Sequence, residues 1–287
     1  MHFTEAKGIL SKDNGINIYR GCTHGCIYCD SRSSCYNMQH AFEDIEVKIN
    51  APQLLEKALA SKRNKCMIGT GSMCDPYLPA EKELKLTRRC LELIEQYGFG
   101  AAVLTKSDLI MRDIELLSEI NKQTKAVVQM TMTTFDDEQC KLIEPCVCRT
   151  SKRFGVLMEM KEHNIPTVAW LSPFLPYIND TEKNLEGLLD YCAEAGVKGI
   201  ICFGIGLTLR EGNREYYYAA LDRHFPGLSN KYRSEFGNSY ECVSRNNSKL
   251  MRKLTEFCEK YGIICDMNKC FEYLRDFPQK YEQLSFF

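Results

Sequence analysis

Short apolar runs alternate with amphipathic stretches about six times along the first two-thirds of the chain, and this alternation constrains the fold more than any single motif. The runs Ile16–Tyr19, Cys66–Ile68, Gly100–Leu104, Ala126–Met132, Thr167–Leu171 and Gly199–Phe203 read as strands. Between them, apolar residues recur at helical spacing. Leu54, Leu55, Ala58 and Leu59 share one face after Pro52, a good first-turn residue. Leu86, Cys90, Leu93 and Ile94 share the next, stopped by Gly98. Ile114, Leu117 and Ile120 mark a third, and Phe154, Leu157 and Met158 a fourth, with Thr150 and Ser151 as caps. Leu185, Leu188, Leu189 and Cys192 mark a fifth, before Gly196. Strands joined through helices run parallel with right-handed crossovers. The expected fold is α/β, a partial (β/α)6 TIM-type barrel, with its chemistry at the carboxyl ends of the strands. The pattern breaks near Arg210. Residues 1–210 are expected to form the core and residues 211–287 a mostly helical C-terminal cap. Tyr216, Tyr217 and Tyr218 in the cap either stack a planar substrate or divide between core and surface.

Composition narrows the class. The chain has 287 residues, 44% hydrophobic, which is enough for one large core. Mean hydropathy is −0.32, and no apolar run approaches the roughly 20 residues of a membrane span. The N-terminus lacks the pattern of a secretory signal. A cytoplasmic protein with no membrane partner is expected. A net charge of −1 argues against a protein that coats nucleic acid without regard to sequence. The 16 cysteines would then be thiols, metal ligands or small apolar core residues, not a disulfide framework.

Three of them fall in Gly21-Cys22-Thr23-His24-Gly25-Cys26-Ile27-Tyr28-Cys29-Asp30, directly after the first strand. Thiolates spaced Cys-x3-Cys-x2-Cys on one loop converge on a small inorganic centre. An iron–sulfur cubane fits, with three irons held and the fourth left open. Zinc, completed by His24 or Cys35, is the competing ligand set, and unliganded thiols are a third reading. The second Cys-x2-Cys pair of a zinc ribbon is absent from the sequence.

Cys22-x3-Cys26-x-Tyr28-Cys29, placed after the first strand of a six-unit β/α pattern, resembles the signature of the radical S-adenosylmethionine superfamily. That resemblance implies a [4Fe–4S] cluster on Cys22, Cys26 and Cys29. It implies S-adenosylmethionine on the open iron, reductive cleavage to a 5′-deoxyadenosyl radical, and hydrogen abstraction from a substrate. It also implies a flavodoxin or ferredoxin-type electron donor. Tyr28 would line the adenine site. The second strand ends in Thr70-Gly71-Ser72-Met73-Cys74-Asp75, where glycine admits close backbone approach. Thr70, Ser72 and Asp75 there offer partners for the cofactor's amino group. Thr131 and Thr133, on one face of the fourth strand, would reach its ribose or carboxylate, and Arg153 would pair with the carboxylate.

Tyr19-Arg20-Gly21-Cys22, Asp75-Pro76-Tyr77-Leu78-Pro79, Thr105-Lys106-Ser107-Asp108 and Phe225-Pro226-Gly227-Leu228 resemble the spore-photoproduct-lyase-like branch. Its best-known member uses a thiol hydrogen donor three residues before an aspartate. Here that position is Ser72, and the thiol stands at Cys74, the candidate catalytic residue. The substrate stays open among small molecule, peptide and nucleic acid. Two other functions compete: a nucleic-acid lesion repair lyase, and a non-catalytic zinc or nucleic-acid-binding module.

Overall fold

The computed structural model describes residues 1–71 and 73–278. The chain begins with β1 (His2–Thr4), β2 (Gly15–Ile16) and β3 (Tyr19–Arg20). The cysteine loop follows, then β4 (Glu46–Lys48) and α1 (Ala51–Ser61). The repeating units are β5 (Met67–Thr70), α2 (Glu81–Leu84), α3 (Leu86–Gln96), β6 (Gly100–Thr105), α4 (Ile114–Gln123), β7 (Ala126–Thr131), α5 (Asp137–Ile143), α6 (Thr150–Glu162), β8 (Thr167–Trp170), α7 (Glu182–Ala195) and β9 (Gly199–Ile201). The sheet order is β2-β5-β6-β7-β8-β9, every pair parallel. This is the α/β order that the alternation predicted.

Each strand sorts its residues by parity, because successive side chains point to opposite faces. Ile68, Ala101, Val103, Val128, Met130, Ala169 and Ile200 pack outward against the helices. Met67, Ala102, Val127, Val168 and Ile201 point the other way into a second cluster. One cluster fed by five neighbouring strands fits a sheet that curls around it as a part-closed barrel. The cluster is completed by Cys270 and Leu274 of α11 (Met267–Arg275). Lys125, just before β7, fixes that helix by donating to the Tyr273 carbonyl at 2.6 Å. α11 therefore covers the amino ends of the central strands, and its Phe271 reaches the Trp170 and Phe203 rings at the ends of β8 and β9.

Between β9 and α11 lie β10 (Gly206–Thr208), α8 (Asn213–His224), α9 (Leu228–Phe236), β11 (Glu241–Val243) and α10 (Asn247–Tyr261). β10 pairs antiparallel with β11. Leu207, Leu209, Tyr217, Leu221, Tyr232 and Cys242 form a core shared with Cys26, Ile27 and Tyr28. This mostly helical cap thus packs directly on the cysteine loop. Tyr217 and Tyr218 are buried in that core, and Arg32 lies over the Tyr216 ring at 3.7 Å. The tyrosine trio is therefore packing and not a free stacking surface. Among the described residues no helix is long and apolar enough to cross a membrane.

Two local expectations need correcting. The run Ile16–Tyr19 is not one strand: β2 joins the large sheet, while β3 joins a small sheet ordered β1-β4-β3. Helix α6 is entered from Arg149, not capped by Thr150 or Ser151; the Ser151 amide and hydroxyl bond the Asp137 carboxylate instead. The cap of α7 is Thr181, whose hydroxyl accepts from the Asn184 amide.

Candidate active site

The cysteine loop starts from an anchored strand. The Tyr19 hydroxyl of β3 donates to buried Glu81, which also accepts from Arg112 at 3.0 Å. The chain then turns at Gly21, where φ is +86° and a Cβ would lie 2.5 Å from the Phe42 carbonyl oxygen. No other residue fits so close a backbone approach. The Cys22 amide donates to that same oxygen at 3.0 Å. Further on, the Ile27 amide donates to the Ile143 carbonyl at 3.0 Å, and the Cys146 amide to the His24 carbonyl at 3.1 Å. The loop is thus tied on one side to Phe42 and on the other to the segment after α5.

Cys22, Cys26 and Cys29 line one cavity at the carboxyl ends of the strands, together with Tyr28, Gly71, Cys74, Asp75, Lys106 and Thr131. A tetrahedral zinc ion would hold its sulfurs roughly 3.8 Å apart, from Zn–S bonds of about 2.3 Å. Among the described residues the one His, Cys or carboxylate group whose ligand atoms all fall within 4.8 Å is elsewhere, at His2, His40 and Asp44. Three thiols converging on one cavity suit a cluster whose thiolates sit on different irons. The thiols differ in readiness. Hydrogen bonding from Cys74 lowers the Cys22 pKa, whereas burial pushes Cys26 and Cys29 up. Lys106 pulls against that rise at both of them.

Lys106 is the residue that sequence reasoning missed. It directly follows β6, and among the described residues it is the only lysine or arginine that lines the cavity. Burial works against its charge, but Cys26 and Glu144 outweigh burial and raise its pKa, so the ammonium stays charged. Its position one residue past a strand's carboxyl end was the available signal. His24 also faces the cavity. Its Nε2 is 3.4 Å from the Asp75 carboxylate, and neither ring nitrogen has a hydrogen-bond partner among the described residues.

Arg153 does not reach the cavity. Its guanidinium is fully buried, 2.6 Å from Glu144, and donates to the carbonyls of Cys148 at 2.9 Å and Thr131 at 3.0 Å. Glu144 accepts a further bond from the Tyr28 hydroxyl. With its donors spent on the protein, Arg153 is a beam beneath the loop and not a hand for a ligand. Thr133 is fully buried and Thr70 is half-buried; neither lines the cavity. Ser72 lies outside the described residues. Asp75 lines the cavity, but both its oxygens already accept. One takes the Tyr77 amide at 2.8 Å and the Thr105 hydroxyl at 2.7 Å, and the other takes the Lys106 amide at 2.7 Å. Its first effect is to fasten the β5 turn to the end of β6. Gly71 has φ +92°, and a Cβ there would meet the Leu104 carbonyl oxygen at 2.1 Å, so the strand end must stay bare. The Cys74 thiol is buried and donates to the Gly21 carbonyl.

This fold and this thiol loop define a class, and comparison with known proteins agrees. The Radical SAM superfamily model matches residues 16–191, more than half of the chain. The chain belongs to the Radical SAM superfamily, whose cofactors are a [4Fe–4S] cluster and S-adenosylmethionine. An uncharacterised protein of Mycobacterium tuberculosis is 26% identical over 259 residues, covering 88% of this chain and 75% of its own. An uncharacterised protein of Methanocaldococcus jannaschii is 36% identical over 169 residues, covering 58% of this chain and 62% of its own. Spore photoproduct lyase complexed with dinucleoside spore photoproduct superposes with a TM-score of 0.62 at 12% identity, covering 90% of this chain and 78% of that one. A variant of that lyase with bound AdoMet gives 0.60 at 13% identity, over 88% and 75%. At such identities the likeness shows a shared fold.

Proposed function

We propose that this chain is a radical enzyme in which Cys22, Cys26 and Cys29 ligate the cluster and Lys106 pairs with the carboxylate of S-adenosylmethionine. When bound and reduced, the cluster supplies the electron that breaks the cofactor's carbon–sulfur bond and yields a 5′-deoxyadenosyl radical. The observation that carries the reading is one cavity that holds the three thiols and a lysine together. The thiolates fix one end of the cofactor site. Lys106 supplies a charge-assisted partner for an anionic group in a cavity lined by no other lysine or arginine among the described residues. Bare Gly71 lets that group approach the backbone, and the Thr131 hydroxyl and the Tyr28 ring form two further walls. The cap over Ile27 and Tyr28 keeps water from the site. Residues 1–210 are read as the core that performs this chemistry, with α8 and α9 as its cover and α11 packed at the opposite end. A flavodoxin or ferredoxin-type protein is the proposed electron donor, and the cytoplasm the proposed location.

The substrate would enter at the carboxyl ends of β8 and β9. Phe203 is 65% exposed there, with its ring 5.8 Å from that of Trp170 and 6.5 Å from that of Phe271. The Trp170 indole donates to Gln129 at 2.9 Å, so the inward face of the strands offers aromatic surface beside an amide. A flat, partly apolar substrate fits such a wall. Cys74 is the proposed hydrogen donor to a substrate radical. Anaerobic protein reconstituted with iron and sulfide, reduced and given S-adenosylmethionine, should release 5′-deoxyadenosine, and Cys26→Ala should not. Release by neither protein would overturn the reading. Turnover of a damaged dinucleotide by wild type and not by Cys74→Ala would select a lesion lyase over other substrates.

A further inference from the structure

We propose that His2, His40 and Asp44, with Glu46 beside them, form a second metal site that binds one divalent transition-metal ion of the zinc type. This site is separate from the cysteine cavity and does not depend on the function proposed for it.

The small N-terminal sheet assembles the site. β1 lies parallel to β4 with His2 opposite Glu46, and the His2 amide donates to the Ile45 carbonyl at 2.9 Å. That register brings the His2 ring against the loop that leads into β4. The His2 and His40 rings meet edge to face with centroids 4.7 Å apart. His2 Nδ1 is 2.9 Å from Asp44 Oδ2, and His40 Nε2 is 3.6 Å from Glu46 Oε2. One ligand atom from each of His2, His40 and Asp44 lies within 4.8 Å of the other two.

The hydrogen bonding of His40 leaves one ring nitrogen for a ligand. Its Nδ1 is 3.0 Å from the Ala41 carbonyl oxygen. A carbonyl only accepts, so that nitrogen carries a hydrogen and Nε2 is the ring atom turned toward Glu46. Nε2 is buried and has no hydrogen-bond partner among the described residues. A lone pair facing carboxylate oxygens pairs two acceptors, an arrangement that costs free energy unless a proton or a metal ion lies between them. A metal ion satisfies both sides. A histidine held by one nitrogen on a backbone carbonyl and free at the other is also how metal-ligating histidines are oriented. Two imidazoles and one or two carboxylates suit zinc and its neighbours better than calcium or magnesium. Met1's amino group lies 2.7 Å from Asp44 Oδ1 and His2 Nδ1 lies 2.9 Å from Oδ2, so a metal ion would take the place of the direct His2–Asp44 contact.

The place of the site gives it a structural role. The loop that carries His40 and Asp44 also carries Phe42, whose carbonyl accepts from the Cys22 amide and whose ring lies 4.3 Å from the Arg32 guanidinium. A metal ion would brace this loop from outside and hold the backbone against which Gly21 and Cys22 turn.

The test uses cluster-loaded protein titrated anaerobically with Zn2+ in a calorimeter, with iron content measured alongside. Wild type should bind one zinc ion beyond its iron. His40→Ala should lose more affinity than the roughly 10- to 100-fold that even an outer partner of a metal ligand is worth. Asp44→Asn should also weaken binding, and the iron content of both variants should stay at the wild-type level. Co2+ in place of Zn2+ should give the visible bands of a nitrogen and oxygen site without thiolate charge transfer. No zinc uptake by wild type, equal uptake by both variants, or cobalt bands of thiolate character would each overturn the proposal. None of these outcomes would touch the release of 5′-deoxyadenosine by which the function of the cysteine cavity is judged.

Discussion

The two ends of the parallel sheet are built from the same strands and could hardly differ more. At the amino ends, Met67, Ala102, Val127, Val168 and Ile201 close on Cys270 and Leu274 of α11 as an apolar plug. At the carboxyl ends, the same inward register presents Gly71, Lys106 and Thr131 to a cavity rimmed by thiols. The plug is held by burial of apolar surface, which is tolerant of detail and local in effect. The mouth is held by buried polar partners, which are intolerant of losing one member. The division teaches that stability and chemistry are separated along the strand axis, and that each should be breakable alone.

The largest effect should come from splitting the beam under the mouth. Arg153→Met leaves the Glu144 carboxylate buried without its cation and should cost about 3–5 kcal/mol, read from urea unfolding, with loss of bound iron. Glu144→Gln tests the same pair by pH. Burial raises the Glu144 pKa, but Arg153 and Lys106 overcome it, and the folded value lies below the ordinary carboxylate range. The stability it contributes is therefore present above the ordinary carboxylate pKa and is lost as pH falls through the lowered folded value. Wild type should lose stability in that acid window, and the glutamine variant should lose less. An identical acid limb in both would break this account of the pair.

Next comes the plug. Leu274→Ala should cost about 2–5 kcal/mol by leaving a cavity while iron content and cofactor cleavage per cluster stay at the wild-type level. A fall in cleavage per cluster would show that the two ends are not separate. Smaller in energy, but confined to the mouth, is Lys106→Met. Loss of a charge-assisted partner should weaken S-adenosylmethionine binding by about 1.5–3 kcal/mol, roughly 10- to 100-fold in Kd. Lys106→Arg should recover part of that affinity. Calorimetry on the cluster-loaded variants would decide it, and unchanged affinity in Lys106→Met would remove the lysine from the cofactor site.

The same division explains what the sequence made legible. The plug and the helices follow from periodicity, so β6, β7 and the faces of α3, α4 and α7 stand where the apolar pattern puts them. The triad was legible because its three cysteines sit on one short loop. The small sheet β1-β4-β3 was not, because strands of two or three residues carry no period to read. The mouth was legible only in part, because its partners converge from different strand ends. Arg153 and Lys106 look alike in sequence, each a cation beyond a strand. Only the buried Glu144, arriving from the end of α5, turns the first into a support and leaves the second facing the cavity. The double role of Phe42, behind the cysteine loop and beside the His2 and His40 pair, was equally beyond a linear reading.

The most direct test of the central claim is the electron paramagnetic resonance spectrum of the reduced, reconstituted protein before and after addition of S-adenosylmethionine. A cluster held by Cys22, Cys26 and Cys29 with one open iron should give a [4Fe–4S]+ signal that changes when the cofactor binds, and Cys26→Ala should give neither the signal nor the change. A cluster signal that ignores the cofactor, or one that survives loss of Cys26, would contradict the account.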